Sequence, residues 1–252
     1  MKVVAASDHL RDVYERRAEL EYAQPAAVRD TTVDRKFERI LEVLAARLPC
    51  ERFLDAGCGD GRYLAALASL TERPNEVVGT DIAERILATA RRAVEVTGVE
   101  AELVRANLEA LPFDDGEFDV ILCSQVLEHL LDPAAGLREL ARIARPRGTV
   151  ILSTDNRRAL VSKTLNAPRS SLVRLLALSG RRRQVEFPHF SFERGDFAQL
   201  VRAAGLEPEH VETFRFHATG AGRRVQRSLN RLDKALPGHS FGDILLVIAR
   251  KQ

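Results

Sequence analysis

From residue 51 onward, short apolar runs alternate with longer stretches of helical period. Runs of strand character fall at 52–56, 76–81, 102–106, 118–123 and 148–153. Between them, helical stretches fall at about 61–70, 83–97 and 133–145. Buried strands joined by crossover helices predict a mostly parallel sheet with helices on both faces. Two helical patterns precede this region, over 8–22 and 33–48, the second with Phe37, Ile40, Leu41, Leu44 and Leu48 on its apolar side. Further on, the pattern predicts a helix over 193–204 ending at Gly205, then strands over 208–216 and 243–249. A basic segment, 217–240, separates those last two strands without a clean crossover helix, which predicts antiparallel pairing at the sheet edge. The expected fold class is α/β: a doubly wound sheet of seven mostly parallel strands with an antiparallel last strand. N-terminal helices precede it, and a basic insertion follows the fifth strand.

Composition narrows the class of molecule. The 252 residues are 45% hydrophobic and 29% charged, as in ordinary globular proteins, so disordered and fibrous classes are excluded. No apolar run approaches the roughly 18–20 residues a membrane span needs. The first eight residues are too short and too soon acidic for a secretory signal. Three cysteines without a C-x-x-C pair speak against a disulfide framework or thiolate zinc site, and point to the cytoplasm. One domain spanning 1–252 is expected: a helical cap (1–49), a core (50–155), an insertion (156–190) and a segment completing the sheet (191–252). The net charge of +2 conceals eight bases and no acid in 157–185. That local excess is not the footprint of a globally basic nucleic-acid binder.

The sharpest signal is Arg52-Phe-Leu-Asp-Ala-Gly-Cys-Gly-Asp-Gly61, a strand entering a glycine-rich turn before a helix. Glycines at 57, 59 and 61 let the backbone turn tightly and approach a ligand. The spacing G-x-G-x-G departs from the dinucleotide fingerprint G-x-G-x-x-G. Asp55, just before the first glycine, would repel a pyrophosphate but suits a ligand that brings a positive amino group. Asp81 ends the second strand about twenty residues on, where a carboxylate can accept both hydroxyls of a ribose. A positive amino acid moiety at one end and a ribose at the other describe S-adenosyl-L-methionine.

On these motifs the chain resembles the Rossmann-like class I S-adenosylmethionine-dependent methyltransferases, within the group similar to the ubiquinone- and menaquinone-pathway enzymes. The motifs run in order through Leu54–Gly61, Val78–Ile82, Asn107–Phe113, Phe118–His129 and Arg138–Gly148. Asn107 stands where that family usually has Asp, and Arg147 where a glycine is commoner. The resemblance implies cofactor contacts at Asp55, Gly57, Cys58, Gly59, Asp81, Ile82, Asn107, Leu108 and Ser124. It implies methyl transfer to a small-molecule acceptor, through oxygen or nitrogen. The alternatives are a protein or RNA methyltransferase, or a cofactor-binding protein without catalysis.

Methyl transfer requires positioning above all, and a base only where the acceptor must lose a proton. His129, after the fourth strand, and His189, in Glu186-Phe-Pro-His-Phe, are the candidate catalytic residues; each also has a structural reading as a loop or aromatic-cluster residue. Tyr14 and Arg35 are candidates to reach the methionine carboxylate. Quinone-pathway O-methyltransferases carry a second Glu where Gln125 stands; losing that anionic oxygen ligand weakens any transfer of a metal-assisted catechol mechanism, and no metal is assigned. Cys123, ending an apolar run, reads as a buried structural thiol. The stretch 171–183 (Ser171–Leu178, then Arg181, Arg182 and Arg183) suits a lid over an anionic or lipidic acceptor, peripheral contact with an anionic membrane, or a solvated face.

Overall fold

The computed structural model describes residues 12, 14, 15, 34–159, 189–216, 223–236 and 240–252. Most of the expected helix over 8–22 and most of the basic insertion, including Arg181, Arg182 and Arg183, lie outside these residues. Asp12, Tyr14 and Glu15 have helical backbone.

Seven strands form one sheet: β1 (Arg52–Ala56), β2 (Glu76–Asp81), β3 (Glu102–Arg105), β4 (Phe118–Ser124), β5 (Ala144–Asp155), β6 (Leu206–Phe214) and β7 (Ile244–Lys251). Their order is β3-β2-β1-β4-β5-β7-β6. The pairs from β3 through β5 are parallel, whereas β7 runs antiparallel to both β5 and β6. The expected doubly wound sheet with an antiparallel last strand is therefore the observed one, with β6 at the edge. Alternate strand residues feed two cores. Phe53, Val120, Leu122 and Ile151 pack on one face against α1 (Arg35–Ala45), α2 (Arg62–Ala66) and α3 (Glu84–Thr97). Leu54, Ile121, Cys123 and Leu152 pack on the other against α4 (Pro133–Ile143) and α5 (Arg194–Ala203). Cys123 is wholly buried, and burial pushes its thiol well above the usual range.

Local signals fix the helix starts. Asp34 accepts from the Lys36 and Phe37 backbone N–H groups, each at 3.2 Å, so α1 begins one residue later. Asp132 does the same for Ala134 and Ala135, with Pro133 in the first turn of α4. One expectation fails. The segment 217–240 contains a regular helix, α6 (Arg223–Ala235), between β6 and β7. It is held to the fold by polar residues. Asp233 accepts from Arg35 Nε at 3.1 Å and from the Arg215 backbone N–H at 2.6 Å, and Gln226 Nε2 donates to Phe216 O at 2.8 Å. Its sequence does carry an apolar side, but Val225 and Leu232 on that side are exposed rather than packed inward.

The glycine-to-arginine exchange at 147 has a structural counterpart. Arg147 sits at φ 65, in the left-handed region that side chains with a Cβ adopt at a cost. Arg147→Gly should therefore raise stability by about 0.5–1 kcal/mol after the flexibility glycine adds to the unfolded chain. The readout is the urea midpoint at unchanged denaturant slope.

Candidate active site

In an open α/β sheet, ligands bind beyond the carboxyl ends of the strands, where neighbouring connections diverge to opposite faces. Here that point lies between β1 and β4, and a cavity of about 450 Å³ opens there. Of the residues expected at the site, Tyr14, Asp55, Gly57, Cys58, Gly59, Asp81, Ile82, Asn107, Leu108, Ser124, His129 and His189 line it, and Arg35 does not.

The glycine loop is braced by the end of β2. Thr80 O accepts from the N–H groups of Gly57 and Cys58 at 2.8 and 2.7 Å. Asp81 uses both carboxylate oxygens, Oδ2 accepting from Gly59 N–H and Oδ1 from Ala83 N–H, each at 3.1 Å. Gly57 and Gly59 have φ of 79° and 56°, which favours glycine. A Cβ on Gly57 would collide with the Val126 side chain. A Cβ on Gly59 would meet nothing within 4 Å, so the loop leaves open space at that point.

The floor of the cavity is acidic. Asp55 is 1% exposed; burial, reinforced by Asp81 and Asp60, pushes its carboxyl up to about 8. Its Oδ2 is buried without a hydrogen-bond partner. Burial raises Asp81 to about 6, opposed by the backbone N–H groups it accepts from. A buried, orphaned carboxylate oxygen calls for a cationic donor, since its charge is otherwise uncompensated. The donor set thus fits a ligand with an ammonium group. Ile82, Ala106, Leu108 and Leu130 supply an apolar wall for a planar base. Asn107 stands beside it, its Oδ1 accepting from Glu109 N–H at 3.0 Å.

A second cluster lies at the other side of the cavity. His189 Nε2 is 3.1 Å from Asp155 Oδ2, at the end of β5. Phe190 N–H donates to Glu128 O at 2.8 Å and Phe192 N–H to Asp155 O at 3.1 Å, so backbone bonds seat this segment. The rings of His189 and His129 are 5.3 Å apart, and Tyr14 meets His129 edge-on at 6.2 Å. Glu128, 1% exposed, accepts from Thr154 Oγ1 at 3.0 Å; burial pushes it up to about 8. Gln125 holds a left-handed backbone, φ 60, and its buried Nε2 has no hydrogen-bond partner.

The structure redirects one expectation. Arg35 does not line the cavity; it pairs with Asp233 of α6. Its neighbour Lys36 does line it, and burial lowers the lysine from its ordinary range. The apolar period of α1 could have placed Lys36 on the sheet side, but the segment has two adjacent cations and no side-chain signal to choose between them. Asp155 was also missed, although its place at a parallel strand's carboxyl end was a usable signal.

A doubly wound sheet with an acid-floored, glycine-cradled nucleoside site at its switch point defines an S-adenosylmethionine-dependent enzyme. Comparisons with known proteins agree. The methyltransferase domain family matches residues 54–152. The ubiquinone biosynthesis O-methyltransferase of Thiobacillus denitrificans is 34% identical over 168 residues, 66% of this chain and 68% of that protein. An uncharacterized 37.1 kDa protein in transposon TN4556 of Streptomyces fradiae is 35% identical over 136 residues, 53% of this chain; the match spans only 38% of that protein. A solved structure from Thermotoga maritima, described as a SAM-dependent methyltransferase, possible histamine N-methyltransferase, shares the fold. Its TM-score is 0.64 at 19% identity, covering 97% of this chain and 100% of that one. The chain belongs to the class I S-adenosylmethionine-dependent methyltransferases, and S-adenosylmethionine is its cofactor.

Proposed function

We propose that this enzyme methylates an oxygen atom of a small-molecule acceptor bound between the cofactor and the His129–His189 cluster. The observation that carries the reading is the His189–Asp155 pair, 3.1 Å apart at the cavity's edge. The name of the Thiobacillus relative, an O-methyltransferase, supports the choice of oxygen. On this reading residues 1–252 act as one methyltransferase domain.

When bound, the cofactor supplies an activated methyl group on a sulfonium. Asp55 accepts from its ammonium, Asp81 from its ribose, and Lys36 holds its carboxylate; Arg62, the other Lys or Arg lining the cavity among the described residues, is already paired with Asp34 at 2.9 Å. Gly57, Cys58 and Gly59 give the backbone close approach, while Ile82, Asn107, Leu108 and Ser124 flank the nucleoside. Asp155 accepts from His189 Nε2–H, which leaves the Nδ1 lone pair to take the acceptor's hydroxyl proton. Asp155 then steadies the resulting imidazolium. His129, beside it, orients the acceptor oxygen. Among the described residues no group of three His, Cys, Asp or Glu is placed to hold a metal ion.

The test is transfer of a labelled methyl group to a panel of phenols and catechols, with product identified as the ether. His189→Ala should lower kcat about 100-fold with cofactor affinity unchanged. His189→Gln, which cannot act as a base, should fall equally. Label appearing on protein or RNA instead would overturn the small-molecule reading, and full activity of His189→Ala would overturn the base.

A further inference from the structure

Helix α6 turns its polar residues inward. Gln226 and Asp233 are buried, tied to Phe216, Arg215 and Arg35. Its apolar residues Val225, Leu229, Leu232 and Leu236 recur at i, i+4, i+7 and i+11, which aligns them in one stripe. Three of the four face solvent, Val225 at 52%, Leu232 at 46% and Leu236 at 48% exposed, while Leu229 at the edge towards the fold is half-buried; nearby in sequence Phe241 is 47% exposed. Arg224, Arg227 and Arg231 are exposed as well. At helical spacing they form a basic sector beside the stripe, separated from it by the small residues Ser228 and Ala235. A surface helix ordinarily spends such a stripe on the core. Here polar bonds anchor the helix, so the exposed apolar residues are free to serve something else.

We propose that the outer side of α6 docks on an anionic lipid bilayer, with the stripe entering the headgroup boundary and the arginines meeting lipid phosphates. Charge and area both favour this occupant. One stripe of four side chains falls far short of the roughly 800 Å² per partner that a stable dimer buries. Two copies paired along it would also bring their arginine sectors to the same seam. An anionic lipid surface satisfies both sectors at once, because one helix face offers apolar depth and positive charge side by side. The docking does not depend on the identity of the methyl acceptor. It does have a geometric consequence: Arg35 joins α6 to α1, and Lys36 of α1 lines the cavity, so docking holds one cavity wall near the lipid.

The full-length protein would be sedimented with vesicles of phosphatidylcholine alone and of phosphatidylcholine mixed with phosphatidylglycerol. Binding to the mixed vesicles only, reversed by salt, is expected. Replacing Arg224, Arg227 and Arg231 together by Gln should weaken that binding roughly 100-fold at low salt. L232S/L236S should weaken it about tenfold. Both variants should keep the wild-type thermal shift with S-adenosylmethionine, which shows that the fold and the cofactor site are intact. The proposal is overturned if the wild type ignores the mixed vesicles, or if both variants bind them as well as wild type does. It is also overturned if L232S/L236S converts a wild-type dimer to a monomer, which would assign the stripe to a second copy. Equal wild-type binding to polyglutamate, insensitive to L232S/L236S, would assign the face to an acidic polypeptide instead.

Discussion

Asp55→Asn should weaken S-adenosylmethionine binding about 100-fold and at the same time make the unliganded protein more stable at alkaline pH. Both effects come from one buried carboxyl. In the folded protein, burial and the neighbouring acids Asp81 and Asp60 hold Asp55 up to about 8, against an ordinary value near 4. The folded state therefore binds a proton that the unfolded chain has released. Stability tied to that proton is fully present below about pH 4 and is lost as pH rises through about 8. Asparagine has no proton to lose, so the melting temperatures of variant and wild type should diverge across that window. A gap of about 5 °C, roughly 2 kcal/mol for a chain of this size, is expected above pH 8. Binding moves the other way. A cationic ammonium wants the ionised carboxylate, so wild-type affinity should rise with pH until the ligand's own amino group begins to lose its proton near 8. Loss of a buried, charge-assisted contact should weaken the variant about 100-fold. Thermal melts across pH, with and without ligand, measure both. Wild-type affinity in Asp55→Asn would remove the ammonium from this end of the cavity.

The same carboxyl shows why so much of the site could be read from sequence. Asp55, the glycines and Asp81 lie within thirty residues of one another, and each answers to a local rule: a strand end, a tight turn, a ribose acceptor. The sheet likewise followed from runs of apolar residues whose period changes from strand to helix. What escaped depends on contacts between distant segments. Lys36 reaches the cavity and Arg35 does not, because Asp233, nearly two hundred residues later, claims the arginine. His189 gains its partner only when the chain after the insertion returns to the end of β5 and pairs with Asp155. Helix α6 escaped for a third reason. Pattern reading assumes that the apolar side of a helix is the buried side, and α6 reverses it.

Asp81→Asn is expected to be nearly as damaging to cofactor binding as outright truncation, although the replacement keeps the shape of the side chain. Both oxygens of Asp81 are already committed, one to Gly59 N–H and one to Ala83 N–H. An amide offers one acceptor oxygen, so its NH₂ must face one of these two donors. Whichever N–H is abandoned, a donor then opposes a donor at the turn that shapes the site. Leaving that group unsatisfied costs about 1–3 kcal/mol, and the ribose loses its charged acceptor for a similar amount. The first cost is borne by free and liganded protein alike and lowers the melting temperature, whereas the second, about 2 kcal/mol, weakens the Kd for S-adenosylhomocysteine roughly 30-fold in calorimetry. A purely structural role for Asp81 would weaken all ligands alike. The ribose contact can be isolated by comparing S-adenosylhomocysteine with its 2′-deoxy analogue in both proteins. Wild type should prefer the ribose form about tenfold or more, and Asp81→Asn should lose most of that preference. An undiminished preference in the variant would move the ribose away from the end of β2.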